Sequence, residues 1–134
     1  MQNNTVSKIK IAIIDDNKDL VDFVKPVLES HNYEVIAAYS GSSGLEAVKS
    51  HKPDVIILDI VMPDMNGNDV LFELKKGRDT KDIPVIMFTV KEWQYDRSKS
   101  LELGAYEYIS KPFDSHMLLR QINNVLRKKE RREL

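Results

Sequence analysis

Apolar and polar positions alternate in blocks along this chain. Short apolar runs at Lys8–Ile14, Glu34–Ala38, Val55–Leu58, Val85–Thr89 and Tyr106–Ile109 are separated by longer stretches with helical spacing. Brief runs rich in isoleucine and valine read as strands buried on both faces. Between them, Leu20, Val24, Val27 and Leu28 share one helical face, and Leu45, Ala47 and Val48 form a looser one. Val70, Leu71 and Leu74 make a third stripe, and Met117, Leu118, Ile122, Val125 and Leu126 make the last. Pro53 and Pro84 stand just ahead of the third and fourth runs, where a strand tolerates proline. Gly77 and Gly104 suit helix C-terminal positions. Pro26 falls inside the first helical pattern and removes the N–H that would reach the carbonyl of Asp22. The apolar stripe continues past it, so the helix is expected to persist with a bend. Strand followed by helix, five times over, predicts a single α/β domain: a doubly wound (βα)5 unit with a five-stranded parallel sheet and helices on both faces.

Acidic residues sit at the ends of two of these runs. Asp15 and Asp16 follow Ile11–Ile14, and Asp59 follows Val55–Leu58. In an open parallel sheet, ligands bind in the crevice beyond the carboxyl ends of the strands. If the two strands are neighbours, three carboxylates meet on one rim and repel one another unless a cation or protons neutralise them. An all-oxygen set of this kind suits a hard ion, and Mg²⁺ in particular. Thr89 closes the fourth run and Lys111 follows the fifth, so a hydroxyl and an ammonium join the same rim. Neither group serves the metal alone. Both make sense if a phosphoryl group arrives beside it, because its oxygens need cationic and hydrogen-bonding partners.

Composition narrows the remaining classes. The chain has 134 residues, enough for one domain with a true core, and a net charge of -1 gives no electrostatic reason to expect nucleic acid or an anionic membrane. With no cysteine, disulfides, thiolate metal sites and cysteine nucleophiles are excluded. No apolar stretch approaches the roughly 18 residues of a membrane span, and Met1–Ser7 lacks a signal-peptide core, so a cytoplasmic location is expected. His31, His51 and His116 are scattered without ligand spacing. The expected organisation is a disordered lead-in over 1–7, the domain over 8–126, and a charged helix extension or linker start over 127–134. Glu130 and Glu133 interrupt the basic residues of that last segment, which argues against a nucleic-acid patch.

Taken together and in order, several short motifs carry a family resemblance. They are Ile14-Asp15-Asp16-Asn17, Leu58-Asp59-Ile60-Val61-Met62-Pro63, Gly67, Phe88-Thr89 and Tyr108-Ile109-Ser110-Lys111-Pro112-Phe113. Over about Lys8 to Leu126 the chain resembles the receiver domain of two-component response regulators, the chemotaxis-type fold. That resemblance implies a flavodoxin-like strand order, 2-1-3-4-5. It implies that Asp59 is the phosphoacceptor, attacking the phosphohistidine of a histidine kinase or phosphotransfer protein to give an aspartyl phosphate. Asp16 would bind Mg²⁺ directly, Asp15 would bind through water or orient the ligands, and the backbone carbonyl of Val61 would be a further ligand. Lys111 and Thr89 would contact the phosphoryl oxygens. Thr89 and Tyr108 would then switch the face of the fourth helix, fifth strand and fifth helix toward a downstream output protein or domain. The Lys111–Pro112 bond is expected to be cis, a geometry tolerated only before proline.

The resemblance describes a signalling phosphoacceptor that catalyses only its own phosphorylation and dephosphorylation, not an enzyme acting on other substrates. It admits a homodimer. The sequence contains no DNA-binding or catalytic output domain, so the chain is expected either to dock on another protein or to be the receiver of a longer regulator. One position departs from the family: Val90 follows Thr89, where most members carry a small residue. Its bulk is expected to gate access to Asp59. The alternative is a pseudo-receiver, a phosphorylation-independent interaction module, which would be expected to lack one or more of the key groups. A haloacid-dehalogenase-type phosphatase needs Asp-x-Asp, whereas Asp59 is followed by Ile60 and Val61.

Overall fold

The computed structural model describes residues 8–90 and 96–133, including side chains at all of these except 89, 90, 96–98 and 130–133. Met1–Ser7 and Trp93 therefore lie outside the described residues. Five strands and five helices alternate: β1 (Ile9–Ile14), α1 (Lys18–Ser30), β2 (Tyr33–Ala38), α2 (Gly41–His51), β3 (Val55–Asp59), α3 (Gly67–Lys76), β4 (Val85–Val90), α4 (Asp96–Glu102), β5 (Glu107–Lys111) and α5 (Ser115–Glu133). All neighbouring strands pair in parallel, in the order β2-β1-β3-β4-β5.

Strand periodicity divides the core in two. Ile11 and Ile13 of β1, Val55 and Ile57 of β3, and Ile86 and Phe88 of β4 face one side. There they pack against Val21, Val24 and Leu28 of α1 and Leu118, Ile122 and Val125 of α5. The alternate residues, Ala12, Ile14, Ile56, Leu58, Val85 and Met87, face the other side with Val48 of α2 and Val70, Leu71 and Leu74 of α3. Because helices cover both faces, every residue of β3 is buried, which is why Val55–Leu58 is a continuous apolar run before Asp59.

The structure corrects several local expectations. Val21 and not Val27 completes the buried stripe of α1, since positions 21, 24 and 28 recur at the helical period. Met117 is 43% exposed and does not belong to the α5 stripe, because it lies about 100° around the helix from Leu118. The fifth strand begins one residue later and ends two residues later than its apolar pattern suggested, being set by pairing with β4 from Ile86↔Glu107 to Val90↔Lys111. Lys111 thus closes β5 and does not follow it. Gly77 caps α3 at φ -77, so it needs no left-handed freedom, whereas Gly104 after α4 sits at φ 106. Helix α1 runs unbroken through Pro26, and Lys111–Pro112 is cis.

Candidate functional site

The chain crosses from one half of the sheet to the other between β1 and β3, the position where an open α/β sheet leaves a crevice at its carboxyl edge. Asp15 leaves β1 there and is only 1% exposed. Its N–H donates to the carbonyl of Ala38 at the end of β2, at 3.0 Å. Its Oδ1 accepts the N–H of Asn17 at 2.9 Å, and its Oδ2 accepts Lys111 Nζ at 2.9 Å. Asn17, not either aspartate, caps α1 by accepting the N–H of Leu20.

Asp59, the last residue of β3, is 6% exposed and accepts Lys111 Nζ at 3.3 Å. Asp16 is exposed, yet one carboxylate oxygen from each of Asp15, Asp16 and Asp59 can be chosen so that all lie within 4.8 Å of one another. The lysine reaches across from β5 past the ring of Phe88, whose centroid is 6.0 Å from Nζ and which stacks on Phe113 at 4.7 Å.

Charge at this corner is out of balance: among the described residues, three carboxylates share one ammonium. Burial, and then the neighbouring Asp15, push the Asp59 carboxyl up to about 6, against the opposing pull of Lys111. Burial works to lower the Lys111 ammonium, but the hydrogen bond to Asp15 and the charges of Asp59 and Asp15 prevail and hold it above the ordinary lysine value. Oxygen donors with an unneutralised charge fit a hard divalent cation.

The other expected residues lie on the loop after β3 and on β4 and β5. Val61 stands two residues past Asp59 in the loop before α3, with its side chain 47% exposed. That loop is pinned by the N–H of Ile60 on Phe88 O at 3.0 Å and the N–H of Gly67 on Ile60 O at 2.6 Å. A Cβ at Gly67 would collide with the carbonyl oxygen of Asp59, so glycine is needed for α3 to start this close to the acidic strand end. Tyr108 is buried in the core on the α2–α3 side and sits opposite Met87 on β4. Thr89 and Val90 end β4 next to Ser110 and Lys111, and their side chains lie outside the described residues.

Sequence reasoning overlooked a shallow apolar cleft of about 320 Å³ beside Lys111, lined by Leu20, Phe23, Pro112 and Phe113. Its only signal was Phe23, an aromatic on the polar side of the α1 pattern and 59% exposed. A larger cleft, about 590 Å³, opens at the opposite edge of the sheet among Lys75, Lys81, Asp82, Tyr106 and Lys129.

A family model described as response regulator receiver domain matches residues 11–123. The chain belongs to that family. The receiver is 38% identical over 117 residues to Protein PilH of Pseudomonas aeruginosa, covering 87% of this chain and 97% of that protein. It is 37% identical over 125 residues to Response regulator ArlR of Staphylococcus saprophyticus, covering 93% of this chain and only 56% of ArlR. The chain therefore spans about half of one relative and nearly all of another. Among solved structures, a CheY-like receiver domain from Methanospirillum hungatei superposes with TM-score 0.88 at 32% identity, over 94% of this chain and 99% of that one. A receiver domain from Clostridium thermocellum gives TM-score 0.85 at 33% identity, over 91% and 97%. The strand order agrees with the flavodoxin-like fold of this family. Among the described residues, no helix is long and apolar enough to cross a membrane.

Proposed function

We propose that this receiver is a phosphoacceptor, and that Asp59 takes a phosphoryl group from the phosphohistidine of a histidine kinase or phosphotransfer protein. The observation that carries this reading is the desolvated carboxylate of Asp59, held beside two further carboxylates and within 3.3 Å of Lys111 Nζ. One Asp59 oxygen forms the new P–O bond as the P–N bond of the donor breaks, and the imidazole nitrogen keeps the bonding electron pair. Lys111 contacts a phosphoryl oxygen and offsets the charge gathering there. Thr89 supplies a hydroxyl to a second oxygen, and Val90 limits access of small donors and of water. Asp15, Asp16, Asp59 and the carbonyl of Val61 would hold Mg²⁺, which when bound supplies the charge neutralisation that three carboxylates and one ammonium lack. The apolar cleft of Leu20, Phe23, Pro112 and Phe113 gives the donor a surface next to Lys111.

Output is proposed to pass through the face of α4, β5 and α5 toward a partner or output domain, with Thr89 and Tyr108 as couplers. The chain's own chemistry is confined to gaining and losing the phosphoryl group. Beryllofluoride, a phosphoryl mimic, tests this reading by NMR. With Mg²⁺ it is expected to bind the wild type and shift the amides of 59–61 and 105–111. Asp59→Asn is expected not to respond. Equal responses in both proteins would reject Asp59 as the acceptor.

A further inference from the structure

Asp64 lies in the loop between β3 and α3 and reaches back to the start of α2. Its Oδ1 accepts the N–H of Gly41 at 2.9 Å, and its Oδ2 accepts the N–H and hydroxyl of Ser42 at 3.0 and 3.1 Å. Helix α2 needs such help. It opens Gly41-Ser42-Ser43-Gly44, a weak helix-forming sequence with no acidic residue in its first turn. Local capping covers only part of the deficit, because Ser40 Oγ accepts the N–H of Ser43 at 3.2 Å. The N–H groups of Gly41 and Ser42 would otherwise have no helical partner. They are satisfied by a residue more than twenty positions away.

A cap drawn from the helix's own sequence would serve the helix alone, whereas this one also restrains the loop that leaves Asp59. Contact there is close: a Cβ on Gly41 would lie 2.7 Å from the side-chain Cβ of Met65. The other end of the same segment is tied to the acidic cluster, since Ala38, just ahead of Ser40, accepts the N–H of Asp15. Asp64 thus joins the two loops that flank the carboxylates.

We propose that Asp64 is a positioning residue: by clasping the start of α2 to the β3–α3 loop, it fixes the backbone at Val61 and with it the carbonyl offered to Mg²⁺. The proposal rests on the metal reading above. Val61 is 47% exposed, so its backbone is held through its neighbours: the buried Ile60 and Met62 on either side, and Asp64 further along the loop. Magnesium demands near-ideal octahedral geometry, and a displaced carbonyl ligand therefore weakens binding.

Mg²⁺ titrations of the full chain, followed by amide shifts and paired with urea denaturation, test this at 0.15 and 0.5 M KCl. Asp64→Ala is expected to weaken Mg²⁺ about tenfold at both salt concentrations, with Asp64→Asn, which keeps one acceptor oxygen, falling between. Ser40→Ala removes the local cap and serves as the control. It is expected to lose comparable stability while its Mg²⁺ affinity stays within about twofold of wild type. Salt at 0.5 M screens exposed charges beyond a few ångströms. A weakening that vanishes there would make Asp64 a long-range charge and overturn the proposal. So would unchanged affinity in Asp64→Ala, or an equal loss in Ser40→Ala. Failure of the wild type to bind Mg²⁺ would instead reject the metal reading itself, and the clasp's role with it.

Discussion

The two edges of the sheet both gather charge, but in opposite ways. At the carboxyl edge, Asp15 and Asp59 are almost fully buried, and Lys111 is shared between them at 2.9 and 3.3 Å. At the amino edge, Lys75, Lys81 and Lys129 line the larger cleft with Asp82. Lys75 there is largely satisfied by the carbonyls of Lys81 and Ile83, at 3.0 and 3.3 Å, and Lys129 is 4.0 Å from Asp54. Burial lowers the Lys75 ammonium, but backbone carbonyls and Asp54 partner Lys75 and Lys129 of this larger opening, and no cluster of carboxylates faces them among the described residues. The smaller corner holds desolvated charge that the described residues do not neutralise. Cleft volume says little about which end reacts; uncompensated charge fixed by backbone says much more.

The largest contrast between the edges should come from Lys111. Lys111→Met removes the ammonium shared by Asp15 and Asp59 and is expected to slow phosphoryl uptake from acetyl phosphate about a hundredfold, a typical loss for a group aimed at developing charge. Rates within threefold of wild type would erase the distinction between that lysine and those of the opposite edge.

Stability offers a second, metal-free contrast. Burial and Asp15 hold the folded Asp59 carboxyl at about 6, against an ordinary value of 3.8. Because the folded value is raised, the stabilising effect of proton binding is complete below about pH 4 and is lost as the pH rises through about 6. At neutral pH in EDTA, Asp59→Asn should therefore stabilise the fold by about 1–3 kcal/mol, allowing for solvent screening. That gain should shrink toward zero at pH 4. Urea denaturation of both proteins at pH 7.5 and pH 4 measures it, and an equal gain at both values would contradict a burdened carboxylate.

Access to Asp59 should respond more weakly. Valine side chains are stiff at χ1, and Val90→Ala is expected to speed loss of the acyl phosphate about tenfold, roughly 1.4 kcal/mol in barrier. Decay of labelled protein at saturating Mg²⁺ gives the comparison, and equal or slower decay in the variant would dismiss Val90 as a gate. The smallest effect is expected at the amino edge. Lys129→Ala loses only a half-exposed ion pair and should change stability by less than about 0.5 kcal/mol, with phosphoryl uptake unaltered. A large loss of uptake there would mean that the opposite edge takes part after all.

Much of this organisation was legible in the sequence because the relevant signals are local. Ile11–Ile14 and Val55–Leu58 are buried on both faces, so their composition announces strands, and the acids that follow them must fall at the carboxyl edge. Helix faces were read less well where two apolar residues adjoin. Met117 beside Leu118, and Val21 beside Leu20, differ only in angle about the helix, and packing decides which turns inward. The role of Asp64 had no local signal, since its partners Gly41 and Ser42 are distant in sequence and Asp-Met-Asn-Gly reads as an ordinary turn. The start of β5 shifted because pairing with β4 overrode the apolar pattern of Tyr106–Ile109.

Chemical trapping of the modified residue tests the central claim most directly. The chain would be incubated with a phosphodonor, with Mg²⁺ or with EDTA, then treated with borohydride, which reduces an aspartyl phosphate to homoserine, and mapped by peptide mass spectrometry. The account predicts homoserine at position 59 in the Mg²⁺ sample alone. Modification at another residue, or an equal yield at position 59 in EDTA, would contradict it.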